Sequence, residues 1–285
     1  MPTNLTVSEQ LTHCTVRIEC EYKDGTTGTG TGFFFRFAEQ GEMHAPAIVT
    51  NKHVIDNALK GKIHLTLADL SGAPLIGQHK FFFFEDFQPR WIYHPSPDVD
   101  LCVMPIGPLI HMANEQNVKF FYVGIDRSLI PSQAELSEFT ALEDIIMIGY
   151  PNGIWDATNN MPIIRRGITA THPNIDYDGQ AKFMIDAACF PGSSGSPVFI
   201  FNLGGYTTRS GGTVIGPNRV KLLGILHAGP QYTAEGQIKI INVPTTQRPV
   251  VLSSIPNNLG LVIKAANLFD FDQILQDLMN KRTGT

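Results

Sequence analysis

Nearly every apolar run in this chain is short, rich in β-branched and aromatic residues, and cut off by Gly or Pro before it reaches helical length. The runs are His13 to Tyr22, Thr31 to Phe37, Ala47 to Thr50, Ile63 to Leu67, Lys80 to Phe84 and Leu101 to Pro105. After a gap they resume as Asp144 to Tyr150, Ile163 to Ala170, Lys182 to Ala188, Val198 to Asn202, Leu222 to Ala228 and Ile238 to Val243. Without helices between the strands a parallel βαβ sheet is excluded, and the pattern is that of an all-β antiparallel barrel or sandwich. Phe33 to Phe35 and Phe81 to Phe84 would be aggregation hazards if exposed, so both are expected to be largely buried within a closed barrel. An oligomer contact is the lesser reading of the second run.

The stretch from Gly107 to Leu142 carries Pro108 and Pro131 and few periodic apolar positions, which reads as a connection between two strand-rich halves. Gly204 to Gly216, rich in Gly, Thr and Ser, reads as a surface hairpin or loop. The end differs. From Ile263 to Met279 the apolar residues Ala266, Phe269, Ile274, Leu275 and Leu278 recur near helical spacing, so one C-terminal α-helix is expected on the second half. Nothing remains after it for an additional domain.

Hydrophobic residues are 43% and charged residues 16% of the 285, a globular composition long enough for one large domain or two compact ones. A net charge of −5 with no dense Lys/Arg cluster argues against nucleic-acid and membrane partners. No apolar run reaches membrane-spanning length, and Met1 to Gln10 lacks the basic start and apolar stretch of a secretory signal. Cys14, Cys20, Cys102 and Cys189 have neither metal-ligand spacing nor the density of a disulfide scaffold. Free thiols and a cytoplasmic location are expected.

Between two apolar runs lies Pro191-Gly192-Ser193-Ser194-Gly195-Ser196-Pro197. Ordinary turns use the same residues, but here glycines flank two serines, as a tight loop aiming its amides at a substrate requires. A serine hydroxyl needs a base, usually an imidazole that a carboxylate orients. His53, one of nine histidines, follows the run Ala47-Ile48-Val49 where a strand gives way to a turn or short helix. Asp100 directly precedes the apolar run Leu101 to Met104, where a partly desolvated carboxylate needs a partner. Asp98, beside Pro97, reads as a turn residue, although spacing alone keeps it as the alternative. The order His53, Asp100, Ser194 is neither the α/β-hydrolase order nor the subtilisin order, and Gly195 directly after Ser194 excludes the Gly-x-Ser-x-Gly elbow. Only the chymotrypsin-type order fits.

With these motifs the chain resembles the trypsin-like (chymotrypsin-fold) serine peptidases, in particular their HtrA/Deg-like and glutamyl-endopeptidase branches, without a PDZ domain. The resemblance rests on Thr29-Gly30-Thr31-Gly32-Phe33, Thr50-Asn51-Lys52-His53-Val54, Asp100-Leu101-Cys102-Val103, Ile148-Gly149-Tyr150-Pro151, Arg166-Gly167-Ile168-Thr169 and Asp186 to Val198, in the right order. It implies two antiparallel six-stranded β-barrels with the triad in the cleft between them and a C-terminal α-helix behind. Residues 1–118 would form the first barrel, 119–142 the connection, 143–262 the second barrel and 263–285 the helix and tail. Ser194 would be the nucleophile, His53 the general base and then acid, and Asp100 the orienting carboxylate. The backbone N–H groups of Gly192 and Ser194 would form the oxyanion hole.

The resemblance also implies a primary specificity pocket bordered by Ala188, His227, Ala228 and Gly229. An acidic floor selecting Lys or Arg is not expected with Ala188 there. His227 either recognises the substrate, as a histidine on this strand does in glutamyl endopeptidases, or backs Asp100, or fills space. Ser193 stands where the digestive enzymes carry the Asp that pairs with a freshly cleaved N-terminus, so no such zymogen switch is expected. Control would pass to an activating partner protein or a loop transition. Neither a metal nor a cofactor is expected: His64 and His79 lack zinc-ligand spacing, and His94, His111 and His172 lack a ligand set. The reading is thus a serine endopeptidase acting on a protein or peptide substrate. Its rivals are a peptide-binding module with a latent triad and a protease component of a bacterial defence or signalling system.

Overall fold

The computed structural model describes residues 5–229, 231–237, 250–256 and 258–283. Helix α1 (Val7–Thr12) opens with a capping box, in which Thr6 accepts from the Glu9 amide while the Glu9 carboxylate takes the Thr6 N–H. The first half then runs β1 (Thr15–Tyr22), β2 (Thr27–Gln40), β3 (Met43–Thr50), α2 (Lys52–Ile55), β4 (Ala58–Ala68), β5 (Pro74–Phe84), β6 (Ile92–Tyr93) and β7 (Cys102–Pro105). Helix α3 (Gly107–Glu115), β8 (Phe120–Phe121) and α4 (Gln133–Glu138) follow. The first-half strands form one antiparallel sheet in the order β5-β4-β1-β2-β3-β7-β6, with β8 added to β4. That is eight strands where six were expected, and the hydrogen-bonded path from β5 to β6 does not close among the described residues.

The second half contains β9 (Asp144–Gly149), β10 (Ile163–Thr169), β11 (Lys182–Asp186), β12 (Pro197–Asn202), the small hairpin β13 (Gly205–Thr207) with β14 (Thr213–Ile215), β15 (Arg219–Ala228), the pair β16 (Gln231–Gln237) and β17 (Val250–Pro256), and β18 (Leu259–Lys264). Six of them close a barrel in the order β10-β11-β18-β15-β12-β9. The fold is mostly β and of chymotrypsin type, and the hairpin falls within Gly204 to Gly216 as the composition predicted. The run Ile238 to Val243 lies outside the described residues.

Two local expectations are corrected. Ile263 does not begin the helix: it pairs with Lys182 and Ile225 as part of β18, the strand that closes the ring. A 3-10 segment (Ala265–Phe271) follows, and only then α5 (Asp272–Thr283). Apolar spacing over a few residues fits a strand end and a helix start equally, and the barrel's need for a sixth partner decided between them. The second correction is at Phe81 to Phe84. Phe81 and Phe83 are 61% and 53% exposed, while Phe84 is buried. Strand β5 is at the sheet edge, so alternate side chains face water. Phe81 instead lies under the Lys62 ammonium, 5.3 Å from its ring centre.

Phe33, Phe34 and Phe35 are fully buried as expected. Phe33, Phe35 and Phe37 project from one face of β2 into a core that also contains Ile146, Ile148 and Phe199 of the barrel and Phe271 and Leu275 near the C-terminus. Phe34 and Ile48 face a separate core within the first sheet. Because both faces of β2 are covered, its apolar run is continuous rather than alternating, and the shared core fixes the two halves against each other. All four cysteines are free and buried. Among the described residues no helix is long and apolar enough to cross a membrane.

Candidate active site

Strand pairing brings the first two residues together. β3 and β7 are antiparallel with Thr50 opposite Cys102, so the chain leaving β3 and the chain entering β7 emerge side by side. Asn51, buried after the end of β3, donates from Nδ2 to the Asp100 carbonyl at 2.8 Å. The single turn of α2 then carries His53 over the carboxylate. His53 donates its backbone N–H to Asp100 Oδ1 at 3.1 Å, and its Nδ1 lies 2.5 Å from Oδ2. Asp98 is exposed and does not take this place.

A second imidazole reaches the same oxygen. His227, near the end of β15, places Nδ1 at 2.8 Å from Asp100 Oδ2, with its ring edge-on to that of His53 at 5.7 Å. An ionised carboxylate can only accept, so both rings hold their neutral-state proton on Nδ1 and leave Nε2 with its lone pair. Burial disfavours the Asp100 charge, but the hydrogen bonds from His227 and His53 outweigh it and hold the carboxyl well below the usual carboxylate range. The donor atoms of His53, Asp100 and His227 lie within 4.8 Å of one another, close enough for a cation, but the two nitrogens are turned to the carboxylate as hydrogen-bond donors. Of the alternatives for His227, the geometry observed is contact with Asp100.

The loop Pro191 to Pro197 adjoins this pair through the Ser194 hydroxyl, which meets the His227 carbonyl. Gly192 and Gly195 have φ of +82° and +87°, and a side chain at Gly195 would overlap the Thr31 carbonyl oxygen. Both glycines are therefore required by conformation and by contact. The loop is tied to the rest of the molecule by Thr31 N to Ser194 O (2.9 Å), Gly195 N to Leu226 O (2.9 Å) and Asn152 N to Pro191 O (2.6 Å). The Thr31 hydroxyl donates to Gly192 O and accepts from Tyr150 N, both at 3.0 Å, and the Thr31 carbonyl accepts from Thr50 Oγ1 at 2.7 Å. Thus one β2 residue joins the His53 segment, the end of β9 and the serine loop. The backbone N–H groups of Gly192 and Ser194 meet no acceptor among the described residues. Ser194 Oγ donates to the His227 carbonyl at 3.3 Å rather than to His53.

The family of trypsin-like peptidase domains matches this chain over residues 30–204, more than half its length. The chain belongs to that family. His53, Asp100 and Ser194 all fall within the matched span. Among solved structures it is similar to the HtrA-type protease AlgW with a tripeptide, at 14% identity and a TM-score of 0.49, over 93% of this chain and 60% of that one. The chain therefore spans about three fifths of the length of AlgW. It is also similar to the inactive form of a serine-to-alanine mutant of Rv3671c from M. tuberculosis H37Rv, at 13% identity and a TM-score of 0.42, over 93% of this chain and 87% of that one. No curated protein matches it.

Near the Ser194 loop, Ala188 is half-buried, and a side chain on Gly229 would lie 3.4 Å from Cys189 Cβ, so these segments adjoin. On the other side Thr29 borders a groove of about 500 Å³ lined by Arg17, Glu19, Lys60, Lys62 and Phe83. Two residues that sequence reasoning did not single out support the loop. Thr31 was visible only as part of a glycine-rich strand. Arg165 donates from Nη1 to Ala188 O and to Ser193 Oγ, both at 2.7 Å, and the only hint in the sequence was a cation at an inward position of β10.

Proposed function

We propose that this peptidase is an endopeptidase that cleaves protein or peptide substrates through an acyl-enzyme, with His53, Asp100 and Ser194 as its triad. The observation that carries the reading is the His53 Nδ1 contact with Asp100, which leaves Nε2 to serve as the base. Rotation of Ser194 Oγ from the His227 carbonyl to His53 Nε2 precedes attack. Oγ then bonds to the scissile carbonyl carbon while its proton passes to Nε2, and the carbonyl oxygen takes the charge against the amides of Gly192 and Ser194. The imidazolium returns that proton to the leaving amine as the C–N bond breaks. Water, deprotonated by the same nitrogen, releases the acid and restores Ser194.

In this reading Asp100, already ionised across the physiological range, stabilises the imidazolium and keeps the tautomer. His227 acts on Asp100 rather than on substrate. Substrate would pair with the backbone at Ala228 and Gly229, with its reacting residue beside Ala188 and its leaving segment in the groove past Thr29. Residues 1–118 and 143–262 would each supply one wall of the cleft. With Ser193 buried in the assembled loop, no N-terminal cleavage is invoked for activation.

The Ser194 bond to the His227 carbonyl also favours a second reading, a peptide-binding module whose triad is latent until a partner or peptide turns the hydroxyl. One experiment separates the two. Wild-type protein should be labelled by a fluorophosphonate probe at Ser194, and Ser194→Ala should fold equally well and take no label. Failure of the wild type to label, with and without added peptides, would reject the peptidase reading; labelling only with peptide would support the latent form.

A further inference from the structure

The loop that presents the Gly192 and Ser194 amides is tied down by backbone contacts and by the Thr31 hydroxyl, and on the barrel side Arg165 bonds to it. Arg165 lies on β10 opposite Met147 of β9 and turns inward at the end of the barrel. Its Nη1 donates to the Ala188 carbonyl and to the Ser193 hydroxyl, each at 2.7 Å. Ser193 is fully buried, and its oxygen also accepts the Phe190 N–H at 3.3 Å. One nitrogen thus joins the start of the loop to the residue just before the nucleophile, and the hydroxyl extends the junction to Phe190.

The chemistry of this arginine is not that of a stabilising ion pair. No carboxylate bonds to it among the described residues, and its Nε and Nη2 are buried without an acceptor there. Burial pushes its pKa down to about 10, which leaves it charged at neutral pH. A buried, unpaired charge costs stability that an apolar side chain of similar volume would not. Met147 and Cys189 close by show that this end of the barrel accepts apolar groups. The cost is offset only if the two bonds to Ala188 and Ser193 do something that packing cannot.

We propose that Arg165 is a positioning residue, a clamp under the nucleophile loop that holds Ala188 to Ser193 in the arrangement that exposes the two oxyanion amides. The proposal rests on the serine-peptidase reading for its catalytic consequence but not for its structural one. Losing one oxyanion donor typically costs roughly 10²–10³ in turnover. If the loop released from Arg165 has both donors in place only about 1% of the time, Arg165→Met lowers kcat by about 10² while KM changes by less than about threefold, because the strand that pairs with substrate is untouched.

The test combines amide hydrogen exchange with fluorophosphonate kinetics on wild type, Arg165→Met, Ser193→Ala and the double variant. Wild-type amides of Phe190, Ser193, Gly195 and Ser196 all have acceptors and should exchange slowly. Both single variants should raise exchange at Ser193, Gly195 and Ser196, whose amides bond to backbone carbonyls, and slow phosphonylation, and in the double variant these effects should be less than additive, because both substitutions remove the same Arg165–Ser193 bond. Arg165→Lys, which keeps the charge, should recover part of the rate. Unchanged exchange in folded Arg165→Met, or additive effects in the double variant, would overturn the clamp. If Arg165→Met does not fold, Ser193→Ala decides alone: slow exchange at Ser193, Gly195 and Ser196, whose acceptors are backbone carbonyls, refutes the proposal. If wild type takes no label, the peptidase reading has failed, and the exchange arm still decides the clamp.

Discussion

Replacing Thr31 with valine keeps the shape of the side chain and removes only its hydroxyl, which makes it a sharp probe of how the site is held. That hydroxyl satisfies two backbone groups that belong to the other half of the molecule, the Tyr150 N–H and the Gly192 carbonyl. The first is fully buried and would lose its only partner among the described residues, at a cost of about 1–3 kcal/mol. The second is part-buried and would recover some of its loss from water, adding up to about 1 kcal/mol. Thr31→Val should therefore destabilise the fold by about 1–4 kcal/mol, set against the roughly 5–15 kcal/mol a native protein has. Thr31→Ser is the control, since it keeps both bonds and loses one methyl worth about 1 kcal/mol. Urea unfolding at neutral pH measures both, and turnover by the folded fraction should fall further in Thr31→Val because the Gly192 carbonyl is released. If Thr31→Val lies within about 0.5 kcal/mol of wild type, the hydroxyl is not bridging the halves and the reasoning fails.

Gly195→Ala should be worse than any loop substitution of similar size, because a φ of +87° strains an L-residue by about 1–3 kcal/mol and the new methyl overlaps the Thr31 carbonyl; its melting temperature is the readout. Asp100→Asn should leave the fold intact but lower kcat by roughly 10⁴ by admitting the wrong His53 tautomer, measured on a peptide that wild type cleaves. The same pair tests linkage: the folded Asp100 pKa lies below its unfolded value of about 3.9, so the carboxylate's contribution is complete above about pH 5 and fades as pH falls toward the lower folded value. The stability gap between wild type and Asp100→Asn should shrink on acidification, and a gap that widens would contradict the assignment. Phe81→Ser, at an edge position facing water, should cost no more than about 1 kcal/mol in the same unfolding assay, the loss of its contact with Lys62.

What was readable along the chain is what local chemistry encodes. Gly and Pro punctuation of short apolar runs specifies an antiparallel all-β fold, and the residues around His53, Asp100 and Ser194 carry their order and flanking chemistry within a few positions of each. The family match over residues 30–204 agrees with that reading. Contacts between distant positions were not readable, because a side chain's partner is set by strand register and barrel closure rather than by its neighbours in sequence. His227 reaches Asp100 because β15 runs past the end of the β3 and β7 pair, Thr31 reaches Gly192 because the two halves share a core, and Arg165 reaches Ser193 because β10 turns it inward. The same physics explains Phe81 and Ile263. An apolar residue prefers burial or a helix by its own chemistry, but the edge of a sheet exposes the first and the unfilled place in a ring of strands claims the second.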